Sequence, residues 1–190
     1  MEEKIKEILA ETGAVLSGHF LLSSGKHSGG YVQCAKVLRF PDKAEVILKP
    51  VAEKLKEMQI DKIVGPAMGG ILVAYELGRQ LGIEAIFTER TDGVMSLRRG
   101  FELKKGDRVV ISEDVLTTGK STLETRKVLE AYGAEVVAVA SIIDRRGESM
   151  LEDLPVISAV SYQFSTYEKE DCPLCRSGME VVKPGSRTIF

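Results

Sequence analysis

The feature that most constrains this chain is the run from residue 108 to residue 122, which reads RVVISEDVLTTGKST. Residues 109–111 are an apolar run of the kind that forms a buried parallel strand. Glu113 and Asp114 follow, and a polar turn of threonine, glycine, lysine and serine comes after them. Apolar residues at helical spacing then extend over residues 123–132, before a glycine that is typical of a helix end. The run therefore predicts a strand, a short polar loop and a helix.

The polar loop between that strand and that helix suits a phosphate group. Backbone N–H groups at a helix N-terminus bind anions, and Gly119 lets the backbone approach one closely. The run GKST is also part of the P-loop pattern, but that pattern requires a glycine where this chain has Asp114. Because adjacent carboxylates would repel a phosphate, they indicate a sugar diol or a hydrated Mg²⁺ beside it. A phosphorylated ribose satisfies both halves of the loop. Four side chains can add hydroxyl donors: Thr117, Thr118, Ser121 and Thr122.

Strands and helices alternate along the chain, which predicts an α/β fold with a parallel sheet covered by helices on both faces. Ligands of such sheets gather at the carboxyl ends of the strands. The expected helices cover residues 3–12, 69–81, 123–132 and 148–154, with a further helix that begins near Pro41. The expected strands are two short ones within 14–33, then 62–65, 83–88, 109–112, 135–144 and 156–160.

The residues SEDVLTTGKS, 112–121, resemble the phosphoribosyl pyrophosphate (PRPP) signature of the type I phosphoribosyltransferases. The resemblance covers almost the whole chain and implies that family's fold, a central parallel sheet flanked by helices with a small N-terminal hood. It implies a single domain over residues 1–190, in which 41–165 form the core and 1–40 form the hood together with the C-terminal segment. It also implies that PRPP is bound by Glu113, Asp114, Val115, Leu116, Thr117, Thr118, Gly119, Lys120 and Ser121.

A second loop, VGPAMGG at residues 64–70, follows a strand and opens a helix. Taken alone, it is either an ordinary strand-to-helix turn or a tight loop whose N–H groups hold an anion. Beside the first loop, the resemblance implies that it binds pyrophosphate and can have an unusual peptide geometry. Its implied PRPP contacts are Pro66, Ala67, Met68 and Gly69.

Three further stretches resemble the branch of the family that uses orotate. They are LSSGKHS at 22–28 followed by Tyr31, SIIDR at 141–145, and the tail from DCPLC at 171–175 to Arg187. The implied orotate contacts are Thr117, Arg145, Lys26 and Tyr31. A planar guanidinium suits a planar carboxylate. The alternative is that Arg145 is a surface residue at a helix start, and Arg146 is the neighbour most easily confused with it.

The segment TERTDGVMSLRRG, residues 88–100, lacks the lysine and histidine that many family members carry in a mobile loop. The resemblance implies catalytic roles for Glu113 and Asp114, and it matches Arg90 to one basic position of the loop. Arg98 and Arg99 are candidates to replace the missing pyrophosphate contact. Residues 91–100 have the length of a lid that excludes water. In this family the lid commonly serves the neighbouring subunit, which implies a homodimer.

The resemblance implies Mg²⁺-dependent transfer of the phosphoribosyl group from PRPP to orotate, with Mg²⁺ held mainly by PRPP and no direct protein ligand. Two alternatives stay open. One is a phosphoribosyltransferase for another base, such as a purine. The other is a regulator that keeps the PRPP pocket as a sensor and binds nucleic acid.

Charge and hydropathy bear on the partners. The net charge of −2 gives no basic field for nucleic acid, and the charged N-terminus is not typical of a signal peptide. No apolar run approaches the roughly 20 residues of a membrane span. The sequence therefore predicts a cytoplasmic protein with neither nucleic-acid nor membrane partners.

The chain has three cysteines, and an odd number argues against a disulfide framework. Cys172 and Cys175 have the spacing of a zinc knuckle, but zinc prefers four ligands and the sequence contains no second pair of cysteines. The alternatives are a metal shared by two subunits or completed by Cys34, a redox pair, or a plain turn. His19 and His27 are interpreted as structural or surface residues, because neither has an evident nucleophile or metal partner in the sequence.

Overall fold

The computed structural model describes residues 1–22 and 24–184. Its strands are β1 (Val15–Leu21), β2 (His27–Val32), β3 (Lys62–Pro66), β4 (Glu84–Thr91), β5 (Val94–Leu97), β6 (Arg108–Leu116), β7 (Glu135–Asp144), β8 (Met150–Leu151), β9 (Leu154–Ser161) and β10 (Thr166–Tyr167). Its helices are α1 (Glu2–Glu11), α2 (Ala35–Leu38), α3 (Pro41–Leu55), α4 (Gly69–Leu81), α5 (Lys120–Ala131) and α6 (Pro173–Arg176), with a 3₁₀ turn at Lys169–Asp171. Within these residues no helix combines the length and the hydrophobicity needed to cross a membrane.

The main sheet has seven strands in the order β5-β4-β3-β6-β7-β9-β8. The five inner strands run parallel, and the two edge strands β5 and β8 pair antiparallel to their neighbours. This confirms the predicted, mostly parallel sheet. The strand β7 is buried along nearly its whole length, as expected for an apolar strand with helices on both faces.

Alternate residues of the central strands enter two separate cores. On β3, Ile63 packs in the core formed with α1, α3 and α4, whereas Val64 packs in the core formed with α5. Leu77 of α4 and Leu129 of α5 are fully buried in these two cores. Burial of one such side chain contributes about 1.5–3 kcal/mol to folding. The two cores confirm the prediction of helices on both faces.

A second, antiparallel sheet has the order β1-β2-β10. The C-terminal segment returns to it a second time, because the Val182 N–H donates to the His19 carbonyl at 2.8 Å and Val182 accepts from the Leu21 N–H at 2.9 Å. The helix α1 precedes this sheet in the chain but belongs to the main core, where Ile5 and Leu9 are buried. The division of the chain into a hood over 1–40 and a core over 41–165 stays a prediction.

Two segments form hairpins that the sequence-based expectation did not include. The helix predicted over 148–154 is wrong: β8 and β9 form a hairpin there, with Leu151 paired to Leu154. Both leucines are buried in the core below α5, and this tertiary contact outweighs the local preference for helix. The predicted lid over 91–100 is largely another hairpin, β4–β5. Its turn has Asp92 and Gly93 at φ 51° and 82°, as two-residue hairpin turns require.

The strand β6 is longer than expected, because Val115 and Leu116 still pair with β7. The short helix α2 has no counterpart in the sequence-based expectation. Arg187, the end of the resembling tail, and Ser23 of the stretch 22–28 lie outside the described residues.

Candidate functional site

Two loops meet at the carboxyl ends of β3 and β6, which are adjacent parallel strands. The Ser112 hydroxyl of β6 donates to the Gly70 carbonyl at 3.0 Å and so joins the second loop to the first. The second loop contains a cis peptide bond between Ala67 and Met68. It is fixed to β4 by the Ala67 N–H, which donates to the Thr88 carbonyl at 2.8 Å. The two predicted PRPP loops are thus brought together.

The carboxyl group of Asp114 lies against Gly69, at the junction of the two loops. A Cβ added at Gly69 would lie 2.4 Å from Asp114 Cγ, so only glycine leaves room for this contact. The Val115 N–H donates to Asp114 Oδ1 at 2.9 Å. Burial raises the pKa of Asp114, and that hydrogen bond partly opposes the shift. The junction therefore holds one carboxylate with an oxygen available to a ligand, since the described residues give Asp114 Oδ2 no hydrogen-bond partner.

The carboxyl group of Glu113 points to the start of α5 instead. Its Oε1 accepts hydrogen bonds from the Ser121 hydroxyl and, at 3.4 Å, from the Thr122 hydroxyl. Burial raises the pKa of Glu113 to about 7; the charge of Asp114 adds to this shift, whereas the two hydroxyls oppose it. The two acidic residues therefore have different environments. Asp114 faces the loop junction, and Glu113 serves as an acceptor for the α5 N-terminus.

The loop after β6, the predicted phosphate loop, ends where α5 begins, at Lys120, three residues before the predicted helix start. Gly119 precedes the helix at φ 73°, a left-handed conformation that favours glycine. Thr117, Thr118 and Lys120 are exposed, so their side chains are accessible beside the N-terminus of α5, where the Lys120 N–H donates to the Thr118 hydroxyl at 3.4 Å. This arrangement can hold a phosphate. The side chain of Leu116 is buried, so this residue can offer only its backbone to the loop.

Arg145 follows β7 and lies beside the phosphate loop, since its N–H donates to the Leu116 carbonyl at 2.9 Å. Its guanidinium carbon lies 5.2 Å from the centre of the Phe164 ring. The Arg145 Nε is buried and has no hydrogen-bond partner among the described residues. Burial lowers the pKa of this guanidinium. A guanidinium cation in this position can bind a planar anion next to Thr117.

Arg146, in contrast, is fully used inside the protein. It donates to both carboxylate oxygens of Asp144, at 3.1 and 3.0 Å, and to the carbonyls of Glu148 and Met150. Arg146 therefore stabilises the segment after β7, and Arg145 is the arginine available to a ligand.

Phe164 was not identified from the sequence. A Cβ added at Gly30 would lie 2.1 Å from the Phe164 ring, so the ring covers β2 at that glycine. The Tyr162 ring is stacked on the Phe164 ring, with 5.8 Å between the ring centres. The only signal in the sequence is an aromatic pair after the last strand of the main sheet, which alone does not indicate a site.

Lys26 and Tyr31, the other predicted orotate contacts, have different neighbours. The Lys26 ammonium pairs with Glu168 at 2.8 Å, and the Tyr31 ring lies 5.8 Å from the Phe20 ring. Among the described contacts, neither residue touches Arg145 or Thr117. Their role toward a base stays a prediction.

The three candidate lid arginines are bound to neighbouring groups. Arg99 donates to both oxygens of Glu89, at 2.8 and 3.0 Å, and Arg98 donates to the Thr91 hydroxyl at 3.0 Å. Arg90 pairs with Glu124 of α5. The structure therefore does not bring these arginines to the two loops. Exposed ion pairs contribute only about 0–1 kcal/mol, so an anionic ligand can compete for these arginines.

Comparison with known proteins agrees with this geometry. The family model "Phosphoribosyl transferase domain" matches residues 40–171. A curated orotate phosphoribosyltransferase from Caldanaerobacter subterraneus subsp. tengcongensis is 49% identical over 188 residues, which are 99% of each chain. Among solved structures, orotate phosphoribosyltransferase from Aeropyrum pernix has a TM-score of 0.71 at 27% identity, over 83% of this chain and 93% of that one. Adenine phosphoribosyltransferase from Thermoanaerobacter pseudethanolicus has a TM-score of 0.59 at 21% identity, over 70% of this chain and 88% of that one. This likeness shows the shared fold. The resemblance identified in the sequence is thereby confirmed, and the chain belongs to the phosphoribosyl transferase family.

Proposed function

We propose that this chain transfers the 5-phosphoribosyl group of PRPP to orotate, producing orotidine 5′-phosphate and pyrophosphate for pyrimidine synthesis. The observation that carries the choice of base is Arg145, a half-buried guanidinium beside the phosphate loop whose Nε has no hydrogen-bond partner among the described residues. Orotate is a planar carboxylate, which an arginine can bind through two parallel hydrogen bonds. The full-length relative named orotate phosphoribosyltransferase supports the same choice.

The two loops account for the PRPP half of the reaction. The residues 117–121 and the α5 N-terminus would hold the 5′-phosphate. Asp114 would accept the ribose hydroxyls at the junction with Gly69. The loop with Pro66, Ala67 and Met68 would hold the pyrophosphate through its backbone. Glu113 would support this site indirectly, by fixing Ser121 and Thr122 at the start of α5.

The Asp114 carboxylate at the junction fits a Mg²⁺ ion that arrives bound to PRPP. Oxygen ligands suit Mg²⁺, and this ion usually keeps most of its ligands from water and substrate phosphates. Because Glu113 is engaged by α5, Asp114 is the carboxylate that faces the loops. One carboxylate is too few for a site in which the protein alone holds Mg²⁺. When bound, the ion would neutralise charge on the departing pyrophosphate.

The chemical step requires positioning more than proton transfer. The C1′–O bond breaks and its electron pair leaves with pyrophosphate, while the N1 lone pair of deprotonated orotate forms the new C1′–N bond. Asp114 would favour the positive charge that develops on the ribose, and Arg145 would hold orotate in line for attack. Such preorganised charge is usually the largest contribution to catalysis.

We also propose that the chain acts as a homodimer. One face at the start of α4 carries three exposed apolar side chains, which are spaced four and three residues apart. The exposed fraction is 83% for Met68, 50% for Leu72 and 69% for Tyr75. An exposed apolar face at a helix start beside the PRPP loops is suited to a second copy of the chain. In a dimer, the β4–β5 hairpin with Arg98 and Arg99 would serve the neighbouring site.

A panel of bases tests the proposal. The purified protein is incubated with PRPP, Mg²⁺ and, in separate reactions, orotate, uracil, adenine and hypoxanthine, and nucleotide products are separated by chromatography. We expect product from orotate at a kcat/KM at least roughly 100-fold above that of the other bases, because a site with a half-buried guanidinium disfavours neutral bases. A preference for a purine would contradict the role of Arg145 and favour the other-base alternative.

A further inference from the structure

Four side chains outside the PRPP loops converge on one point of the small sheet. They are His19 of β1, His27 of β2, Cys172 at the start of α6 and Cys175 within α6. Their ligand atoms all lie within 4.8 Å of one another, and within residues 1–22 and 24–184 no second group of this kind occurs. Cys34, considered above as a partner of the cysteine pair, lies elsewhere, where its thiol contacts the Asp114 carbonyl at 3.6 Å.

Three of the distances within this cluster match those around a tetrahedral metal ion. Zinc bonds of about 2.0–2.1 Å to nitrogen and about 2.3 Å to sulfur place neighbouring ligand atoms roughly 3.3–3.8 Å apart. His19 Nε2 lies 3.5 Å from Cys172 Sγ and 3.7 Å from Cys175 Sγ, and His27 Nδ1 lies 3.3 Å from Cys175 Sγ. The two ring nitrogens are closer, at 2.7 Å. We propose that these four side chains bind one zinc ion in a Cys2His2 site.

A hydrogen bond on the far side of His19 orients its ring for this role. His19 Nδ1 lies 2.8 Å from the Met179 carbonyl. A carbonyl only accepts, so Nδ1 carries the proton and the Nε2 lone pair faces the cluster. Histidine ligands of metals are commonly held by such a bond. One lone pair cannot accept hydrogen bonds from the other three groups at once, whereas a central ion would use all four ligand atoms.

Burial gives a second, independent argument. His19 is 3% exposed, His27 4% and Cys172 0%, yet the segment that carries the cysteines has almost no apolar core. The 3₁₀ turn and α6 bury none of their residues, and Met179, Val181 and Val182 are 42–52% exposed. Apolar burial therefore does not account for the position of this segment. Metal binding can supply the missing folding energy.

The proposed ion would join parts of the chain that are far apart in sequence, since Cys175 lies 156 residues after His19. It would fix the C-terminal segment on the β1–β2 hairpin. That segment includes Phe164, which lies under Arg145. Four protein ligands leave no open position on the ion, so its role is structural. It is distinct from the Mg²⁺ proposed to arrive with PRPP.

The test measures zinc in the full-length protein after incubation with Zn²⁺ and removal of the excess. Elemental analysis should give about one zinc ion per chain, as a closed four-ligand site requires. Cys34→Ala is the matched control and should keep this value. The double variant Cys172→Ser/Cys175→Ser should lose nearly all of the zinc. The single variant Cys175→Ser should release its zinc to a chelator faster than the wild type does. Because Cys175 is exposed, this single variant tests the site even if the double variant folds poorly.

A cobalt spectrum reads the ligand set directly. The protein loaded with Co²⁺ should show the intense visible bands of tetrahedral cobalt and a thiolate charge-transfer band, and Cys175→Ser should lose part of the latter. Three results would overturn the proposal: wild-type protein that takes up no zinc while its thiols are free, a disulfide between Cys172 and Cys175 in protein kept under reducing conditions, or full zinc content in the double variant.

Discussion

The guanidinium carbon of Arg145 lies 5.2 Å from the centre of the Phe164 ring, so the end of the long strand β7 meets the C-terminal segment at this contact. Phe164 in turn covers Gly30 of β2. The guanidinium lies over the face of the ring, which is a cation–π arrangement. The buried Nε of Arg145 has no hydrogen-bond partner in the described part of the chain, so this atom is not committed to a protein acceptor.

Arg145→Ala should weaken orotate binding and leave PRPP binding almost unchanged. A lost hydrogen bond to a charged group costs about 1.5–3 kcal/mol, so we expect the KM for orotate to rise roughly 10- to 150-fold. Initial rates at varied orotate and varied PRPP measure the two effects separately. Arg39→Ala is the matched control, since Arg39 lies over the Phe40 ring at 4.6 Å on α2's C-terminal side. An equal rise in both KM values would contradict the assigned role.

Gly69→Ala should impair PRPP use, because the added methyl group would displace the Asp114 carboxyl from the junction of the loops. Overpacking of this kind costs about 1–3 kcal/mol, and we expect kcat/KM for PRPP to fall at least roughly tenfold. Steady-state kinetics with circular dichroism as a check on folding measures this. Gly82→Asn at the other end of α4 is the control, since that site has open space and a left-handed backbone that asparagine tolerates. Wild-type kinetics in Gly69→Ala would refute the contact.

Glu113 should make the protein less stable as pH rises. Its pKa is raised from 4.5 in the unfolded chain to about 7 in the fold, so the folded state binds this proton more tightly. The resulting stability is present below pH 4.5 and is lost as pH rises to about 7. The loss is on the order of 3 kcal/mol, or roughly 6–12 °C in Tm.

Glu113→Gln removes this titration and keeps an oxygen that can accept from Ser121. The fall in Tm between about pH 5 and about pH 8 should therefore be smaller in the variant than in the wild type. Glu102→Gln, at an exposed position, serves as the control. If the Tm of Glu113→Gln and that of the wild type depended on pH in the same way, the pKa of the Glu113 carboxyl group would not be raised in the fold.

Charge on the exposed face of α4 should separate the proposed dimer. Light scattering of the wild type should give twice the 20.8 kDa mass of the chain, and Leu72→Glu/Tyr75→Glu should give the single-chain mass. Tyr132→Glu changes another exposed aromatic residue, at the end of α5, and should leave the dimer intact. A monomeric wild type at the concentration of the activity assay would rule out a lid shared between subunits.

Much of the fold could be predicted from local patterns. The helix over 69–81 and the strand over 135–144 have the predicted boundaries, because apolar periodicity, flanking glycines and continuous apolar runs are local signals. The turn between β6 and α5 could likewise be predicted from one contiguous run. These features depend on residues that are neighbours in sequence.

The remaining features depend on contacts between distant residues. The hairpin at 148–154 exists because Leu151 and Leu154 reach a core formed by α5, which its own sequence does not indicate. Phe164 joins the site only through the fold of the tail. The histidines have no metal partner within their own stretch of sequence, yet the small sheet places both beside Cys172 and Cys175. Sequence spacing alone could not provide the second pair of ligands for the cysteines.

The most direct test of the central claim follows the ultraviolet absorbance of orotate after the protein, PRPP and Mg²⁺ are combined. We expect a fall in absorbance that requires all three components, with pyrophosphate released in equal amount. No fall under these conditions, in protein whose Tm is raised by PRPP, would contradict orotate as the base and leave a PRPP site that serves another acceptor or a regulatory function.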